Sequence, residues 1–416
     1  MKNFISSLYI FSKLSFKRCG PISYLSTEEN LKLESERMKN RKLRKYSLDF
    51  SEYKLRHIAL KFCYLGWRYS GVIGQYQSDN VVKSKLQESL FKSKLTEDRD
   101  VNISFCGRTD KGVSAFQQVI SLVVRSNLVS GRGIIENSGI NINNRLNTNE
   151  KEIDYVFILN KFLPEDIKIL AWSPVDKDFH ATFNCLGRSY KYFFPRGNLS
   201  IELMQEAGTK LIGSHDFRNF CTMLVKQGIT QFTRNIYSVK IEPLDEIEPE
   251  HETKMYGIYI SGSSFIYHQI RCIVGVLLMI GMGKEKVEII DQLLDIDGIG
   301  GLGKPSYQMA FELPLVFHEA LYNDMDWQTS EQASNIINLN LHSLWLKFYT
   351  KQTILKCFLS ELNQKHSKKI DSALLLNYIN KDVRFENWKP LLERLKESTL
   401  EARIDKHNIL MKVEID

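Results

Sequence analysis

The sequence predicts an α+β fold, and three observations predict it. Long segments alternate apolar and polar residues as half-buried strands do, stretches with helical apolar spacing lie between them, and the composition, 43% apolar and 25% charged, is that of a globular chain. At 416 residues the chain has room for two to three domains of ~150 residues and a sizeable core. The first strand follows His57, where Ile58, Leu60 and Phe62 flank Lys61. The segment Val81–Leu95 then carries Val82, Leu86 and Leu90 at the spacing of one helix face. Further strands are predicted at 101–106, 117–125, 188–194, 235–242, 256–261 and 315–322, and helices at 164–169, 201–212, 265–282 and 284–295. Between two of these strands lies EPLDEIEPEHE, six acidic residues without a Lys or Arg, which reads as a solvated hairpin loop. No repeat of fixed period is present, and beyond Tyr322 the chain turns polar and helical without visible chemistry.

Four regions follow: a basic leader at 1–48, two central regions at 49–175 and 176–322, and a helical extension at 323–416. Of the net +7, the first 50 residues hold 11 basic and 5 acidic side chains, so the remainder of the chain is close to neutral. Bulk charge therefore does not argue for nucleic-acid binding; only the placement of charge can. Residues 1–27 lack Asp and Glu and mix Ser with Phe, Leu and Ile, the composition of either a mitochondrial transit peptide or a disordered leader. The run RMKNRKLRK at 37–45 reads as a nuclear address, an RNA-contacting arm or a solvated helix face. Cytoplasm, nucleus and mitochondrion all stay open. The seven cysteines are never closer than 36 residues, so they form no CxxC pair and no disulfide framework, which suits a reducing compartment. No apolar run approaches the ~20 residues of a bilayer span.

Three clusters carry candidate chemistry. The first, Gly107-Arg108-Thr109-Asp110-Lys111-Gly112-Val113-Ser114-Ala115, stands between two apolar strands, and its glycines force a sharp turn that leaves the charges at the sheet edge. It reads either as an ordinary charged turn or as a site. In the second, Phe179 to Tyr192, period two puts Arg188, Tyr190, Tyr192 and Phe194 on one strand face, a row that fills a core or stacks a base. Residues 179–240 hold eight Lys/Arg against three acidic residues, and basic side chains interleaved with aromatic ones suit single-stranded or loop RNA. In the third, FIYHQIRCIVG at 265–275, Arg271 enters an otherwise apolar helix with His268 three residues before it. A guanidinium there needs an anion, and Asp110 is one candidate. The near-match GIGGLGK at 298–304 to a phosphate-cradling loop fails, because Pro305 replaces the hydroxyl residue and the preceding segment reads as helical. The histidines are scattered, so no metal site is indicated.

These clusters, in this order, resemble the TruA family of tRNA pseudouridine synthases, whose signatures here read GRTDKGVSA, RSYKY and FIYHQIR. The resemblance runs from about Phe50 to Tyr322, roughly two-thirds of the chain. DFSEYKLRHIALKFCYLGW, ILNKFLPEDIKILAWSPV and GSHDFRNFC are similar to the eukaryotic branch acting at tRNA positions 38 and 39, with the broader-specificity eukaryotic branch as the alternative. The resemblance implies two ferredoxin-like α/β subdomains sharing a continuous mixed, mainly antiparallel sheet with a central basic cleft. It implies that Asp110 is the catalytic aspartate, attacking C1′ or taking the C2′ proton of uridine. It further implies that Arg271 pairs with Asp110, that Tyr190 stacks on the uracil and is a candidate to receive the C5 proton, and that Arg108 contacts a phosphate or the flipped nucleotide. Lys111 and His268 stand as further substrate-binding candidates on the same motifs. The reaction is a redox-neutral isomerisation, so neither cofactor nor metal is expected. The expected partner is the tRNA anticodon stem-loop, with a homodimer left open and no membrane. A catalytically silent RNA-binding protein on the same scaffold is the alternative of another class, and the presence of Asp110 speaks against it. A protein-interaction module built on the C-terminal helices explains the extension but not GRTDKGVSA.

Overall fold

The computed structural model describes residues 48–74, 80–135, 151–225, 228–244, 254–365, 376, 379 and 388–413. The leader, with its 37–45 run, and most of the acidic 242–252 loop lie outside the described residues.

Among the described residues, ten strands form one sheet. They are β1 (Lys54–Tyr64), β2 (Ser104–Phe105), β3 (Ser114–Ser126), β4 (Ile134–Ile135), β5 (Ile167–Pro174), β6 (Gly187–Pro195), β7 (Gly213–Asp216), β8 (Thr233–Pro243), β9 (Met255–Gly262) and β10 (Leu315–Leu321). Their order is β4-β1-β3-β10-β6-β9-β8-β7, with β5 also on β1 and β2 also on β3. Every pairing is antiparallel except β10 with β3, so the sheet is mixed and mainly antiparallel, as expected. That parallel pair joins the two halves: Val316 and Phe317 sit opposite Ser114 and Ala115 on one side and Lys191 and Tyr190 on the other.

The buried side chains fall into two clusters, one built on β1, β3 and β5, the other on β6, β8, β9 and the helix that follows Gln269. In α1 (Val82–Lys92), Val82, Leu86 and Leu90 face the first cluster, as the spacing predicts. The helix α4 (Gln269–Gly281) has all thirteen residues buried, which fits a helix that is apolar on every face beyond its first turn, where Gln269 and Arg271 lie. It is preceded in the chain by α2 (Tyr155–Asn160) and α3 (Ile201–Thr209), and followed by α5 (Ile289–Leu294).

Residues 164–169 do not form the expected helix. The helix lies earlier, at α2, where the Asp154 side chain accepts from Phe157 N as an N-cap, and β5 begins at Ile167. A short apolar run such as IKILAWSP has no decisive period, and pairing with β1 settles it as a strand. The helix expected from 265 starts only at Gln269, because His268 adopts a left-handed conformation with φ +66°. The short β7 is not among the expected strands.

The C-terminal extension is helical, with α6 (Glu331–Lys365) and α7 (Leu400–Val413). Ala333 and Ile337 pack into the first core cluster, and Leu376, Ile379, Leu391 and Leu400 into the second, so the extension buttresses both. Lys304, at the end of the near-phosphate-loop, turns inward: its Nζ donates to Cys221 O at 3.0 Å, and the side chain is buried. No helix among the described residues is long and apolar enough to cross a membrane.

Candidate active site

The loop 107–113 is held by the segment that ends the first strand and by the strand that follows the loop itself. Tyr64, at the end of β1, shares a 2.7 Å hydrogen bond between its hydroxyl and Thr109 Oγ1. Gly66 N donates to Ser114 Oγ at 3.0 Å, Gly112 N to Tyr69 O at 3.1 Å, and Gln118 Nε2 to Gly107 O at 3.0 Å. A Cβ on Gly66 would lie 1.9 Å from Val113 O, so only glycine permits this closeness. Backbone and side-chain bonds thus fix the loop on both flanks, and Asp110 projects from a rigid frame with its side chain 20% exposed.

Arg271 reaches the same point from the first turn of α4. Its Nε donates to Ala310 O at 2.8 Å, its Nη2 to Glu312 Oε2 at 2.7 Å, and its Nη1 lies 3.7 Å from Asp110 Oδ2. The anion that the sequence requires is therefore two carboxylates, and Glu312 is the nearer. Sequence reasoning missed it, since nothing in the apolar periodicity links position 312 to 271. Burial pushes the Asp110 carboxyl above its ordinary range, Glu312 adds to that, and Arg271 pulls it partly back.

His268 places Nε2 3.4 Å from Asp110 Oδ2, while its Nδ1 is 2.9 Å from Thr222 Oγ1. Burial, with Arg271 and Lys304 nearby, lowers its pKa to about 3. The ring is neutral at physiological pH, so it meets Asp110 as a polar contact and not as an ion pair.

The aromatic face of β6 divides. Tyr192 and Phe194 are core, whereas Tyr190 packs against both core clusters and lines the cleft between them. Its ring meets Phe265 and Phe317 edge to face, with centroids 5.3 and 5.2 Å away. Burial raises its phenol pKa, so in the free protein it keeps its proton at neutral pH. Arg188, placed in the aromatic row by its spacing, is a buried tie: it donates to Ser263 O, Cys106 O and Thr182 O at 3.0, 2.9 and 3.0 Å. Two of these three carbonyls lie 75 and 82 residues away along the chain, so local spacing does not show the role.

All six candidate residues, Arg108, Asp110, Lys111, Tyr190, His268 and Arg271, line one cleft of about 1160 Å³. Arg108 and Lys111 are exposed at it. Among the described residues no group of three or more His, Cys, Asp or Glu side chains is placed to hold a metal ion. The cleft thus offers a carboxylate held by a guanidinium, an aromatic face, and exposed cations at the rim, a set suited to a nucleotide.

The family model for tRNA pseudouridine synthase matches residues 207–323. A tRNA pseudouridine(38/39) synthase of Bos taurus is 39% identical over 381 residues, covering 86% of this chain and 78% of that protein. A tRNA pseudouridine(38/39) synthase of Saccharomyces cerevisiae is 38% identical over 314 residues, 73% of this chain and 66% of that one. A probable tRNA pseudouridine synthase of Caenorhabditis elegans is 33% identical over 379 residues, 86% of this chain and 92% of that one. Among solved structures, a Cbf5-Nop10-Gar1 complex matches 56% of this chain and 46% of that chain, at 12% identity and a TM-score of 0.25. With identity of this degree over most of both chains, and the three motifs converging on one cleft, the chain belongs to the TruA family of tRNA pseudouridine synthases, isomerases that convert uridine to pseudouridine.

Proposed function

We propose that this protein isomerises uridine at positions 38 and 39 of the tRNA anticodon stem-loop, with Asp110 as the reacting carboxylate. The observation that carries the reading is the Asp110 carboxylate, set in a cleft on a rigid loop and faced by Arg271. The named substrate positions of the bovine and yeast relatives support the choice of site.

The reaction breaks the C1′–N1 bond, turns the uracil and forms C1′–C5, while a proton leaves C5 and N1 gains one. Atoms and electrons balance within the substrate, so no cofactor takes part. Asp110 serves either by attacking C1′ or by taking the C2′ proton, and both need the ionised form. Arg271 favours that form against the burial that opposes it. Tyr190 supplies the face on which the uracil rests; its retained proton suits stacking and donation better than accepting the C5 proton. Arg108 and Lys111, at the exposed rim, neutralise phosphates. His268 supports Asp110 as a neutral polar neighbour. Extruding a base from its stack costs a few kcal/mol and is cheapest at the end of a stem, where positions 38 and 39 lie.

The test is nucleoside-resolved mapping of pseudouridine in transcripts carrying uridine at 38 and 39, incubated with the purified full chain. Product at those positions is expected. Product elsewhere in the tRNA selects the broader-specificity alternative, and binding without product selects a silent RNA-binding protein.

A further inference from the structure

Phe183 is 83% exposed, more than any other aromatic side chain among the described residues. Single exposed apolar side chains are ordinary, so exposure by itself decides nothing. Its setting does. Phe183 lines the same cleft as Asp110, and its ring is stacked on His180 with centroids 4.5 Å apart and planes at 29°. The turn that bears it is pinned at every step: His180 N donates to Asn184 Oδ1 at 2.8 Å, Asn184 N to His180 O at 3.0 Å, Ala181 N to Ser104 Oγ at 3.0 Å, and Arg188 to Thr182 O at 3.0 Å. A large apolar ring is thus carried out into the cleft on a pinned turn, with one face covered by an imidazole and the rest in water.

We propose that Phe183, backed by His180, is a stacking platform for a nucleobase flanking the uridine taken into the cleft. The inference rests on the function proposed above. Extruding one base uncovers the face of its neighbour, and an aromatic ring carried on a pinned turn and already stacked on His180 covers it again. Stacking reads no hydrogen-bond pattern, so the platform tolerates any base. Phe183 carries no charge, so its share of affinity differs in kind from that of Arg108 and Lys111: it is insensitive to salt.

The experiment measures RNA affinity, KM, kcat and salt dependence for the full-chain wild type, Phe183→Ala, Phe183→Leu and Phe183→Trp on an anticodon stem-loop. A second stem-loop carries 2-aminopurine beside the target uridine. Phe183→Ala and Phe183→Leu are expected to weaken binding roughly tenfold, with the loss in KM, kcat moving less than threefold and the slope of log K against log salt unchanged. Phe183→Trp retains affinity. The 2-aminopurine emission is quenched on binding the wild type and recovers with Phe183→Ala. Unfolding temperatures control for folding. Unchanged affinity and quenching in Phe183→Ala, retention by Phe183→Leu, or a loss confined to kcat overturns the platform. A wild type that forms no pseudouridine while binding RNA defeats the underlying function instead, and the two failures are told apart by that single control.

Discussion

Arg271 Nη1 stands 3.7 Å from the Asp110 carboxylate, while Nη2 of the same guanidinium donates to Glu312 at 2.7 Å. One cation therefore serves two carboxylates, and the closer bond goes to the one that does not project from the GRTDKGVSA loop. Glu312 fixes the guanidinium; Arg271 then acts on Asp110 from a fixed position. Planar geometry is what lets one side chain do both, with Nε still free for Ala310 O.

Replacing Asp110 tests the centre of the site. Asp110→Asn and Asp110→Ala should lower pseudouridine formation by roughly a thousandfold or more, as loss of a reacting carboxylate does. Folding should survive, because Arg271 keeps Glu312 and Ala310 O as acceptors. The folded-state pKa of Asp110 is raised, so the ionised carboxyl opposes folding: the stability it contributes is present below its unfolded pKa and is lost as pH rises through the folded value. Asp110→Asn should thus unfold at an equal or higher temperature than wild type at pH 7. Activity above a few per cent in Asp110→Ala would sink the assignment.

Opposite shifts of the acidic limb should separate the two carboxylates. Arg271→Met removes the cation and raises the Asp110 pKa further, so activity is lost at a higher pH as acid is added. Glu312→Gln removes a negative neighbour and lowers it, so the limb moves to lower pH. Arg271→Lys should recover the rate only partly, since an ammonium lacks the planar donor fork that reaches Ala310 O, Glu312 and Asp110 together. The measurement is kcat/KM against pH, and a limb that ignores both changes would assign it to another group.

Stability should expose Glu312 in a second way. Arg271→Met strands both Asp110 and Glu312, so it should destabilise more than Asp110→Asn. Adding Asp110→Asn to it should recover only part of the loss, and adding Glu312→Gln as well should recover more. Chemical denaturation of the single, double and triple variants measures this. Full recovery with Asp110→Asn alone would show that Glu312 is not a true partner.

His268, with its pKa lowered to about 3, should contribute no inflection near pH 6.5 to the activity profile. Its folded pKa lies below the unfolded one, so its contribution to stability is present above the unfolded pKa and is lost as pH falls from 6.5 towards 3. His268→Asn, which tolerates the left-handed backbone, should lose less stability between pH 7 and 5 than wild type does. Thermal unfolding at the two pH values decides it.

Gly66 should prove as sensitive as the site itself. Gly66→Ala pushes a methyl group onto Val113 O and should cost roughly 1–3 kcal/mol while displacing the loop that carries Asp110. Activity should fall more than stability, whereas an unperturbed kcat would mean that the loop yields without moving Asp110.

By itself the sequence determined the α+β class, most strands, the apolar helix that carries Arg271, and six candidate residues that the fold brings to one cleft, Arg108, Asp110, Lys111, Tyr190, His268 and Arg271. Period and turn chemistry are local properties, so alternation along β1 and β6 is legible in the chain, and the three motifs carried the site because the resemblance attaches chemistry to residue order. Tertiary structure alone decided the rest. The strand at 167–174 required β1 beside it, since a short apolar run has no period of its own. Arg271 and Glu312 are 41 residues apart, joined only because α4 and the segment before β10 meet at the cleft. Arg188, which lines the cleft with Tyr190, ties carbonyls at 106, 182 and 263, two of which lie 82 and 75 residues away along the chain and need a donor that only the fold supplies. A residue's partners across space follow from packing, and packing has no period to read.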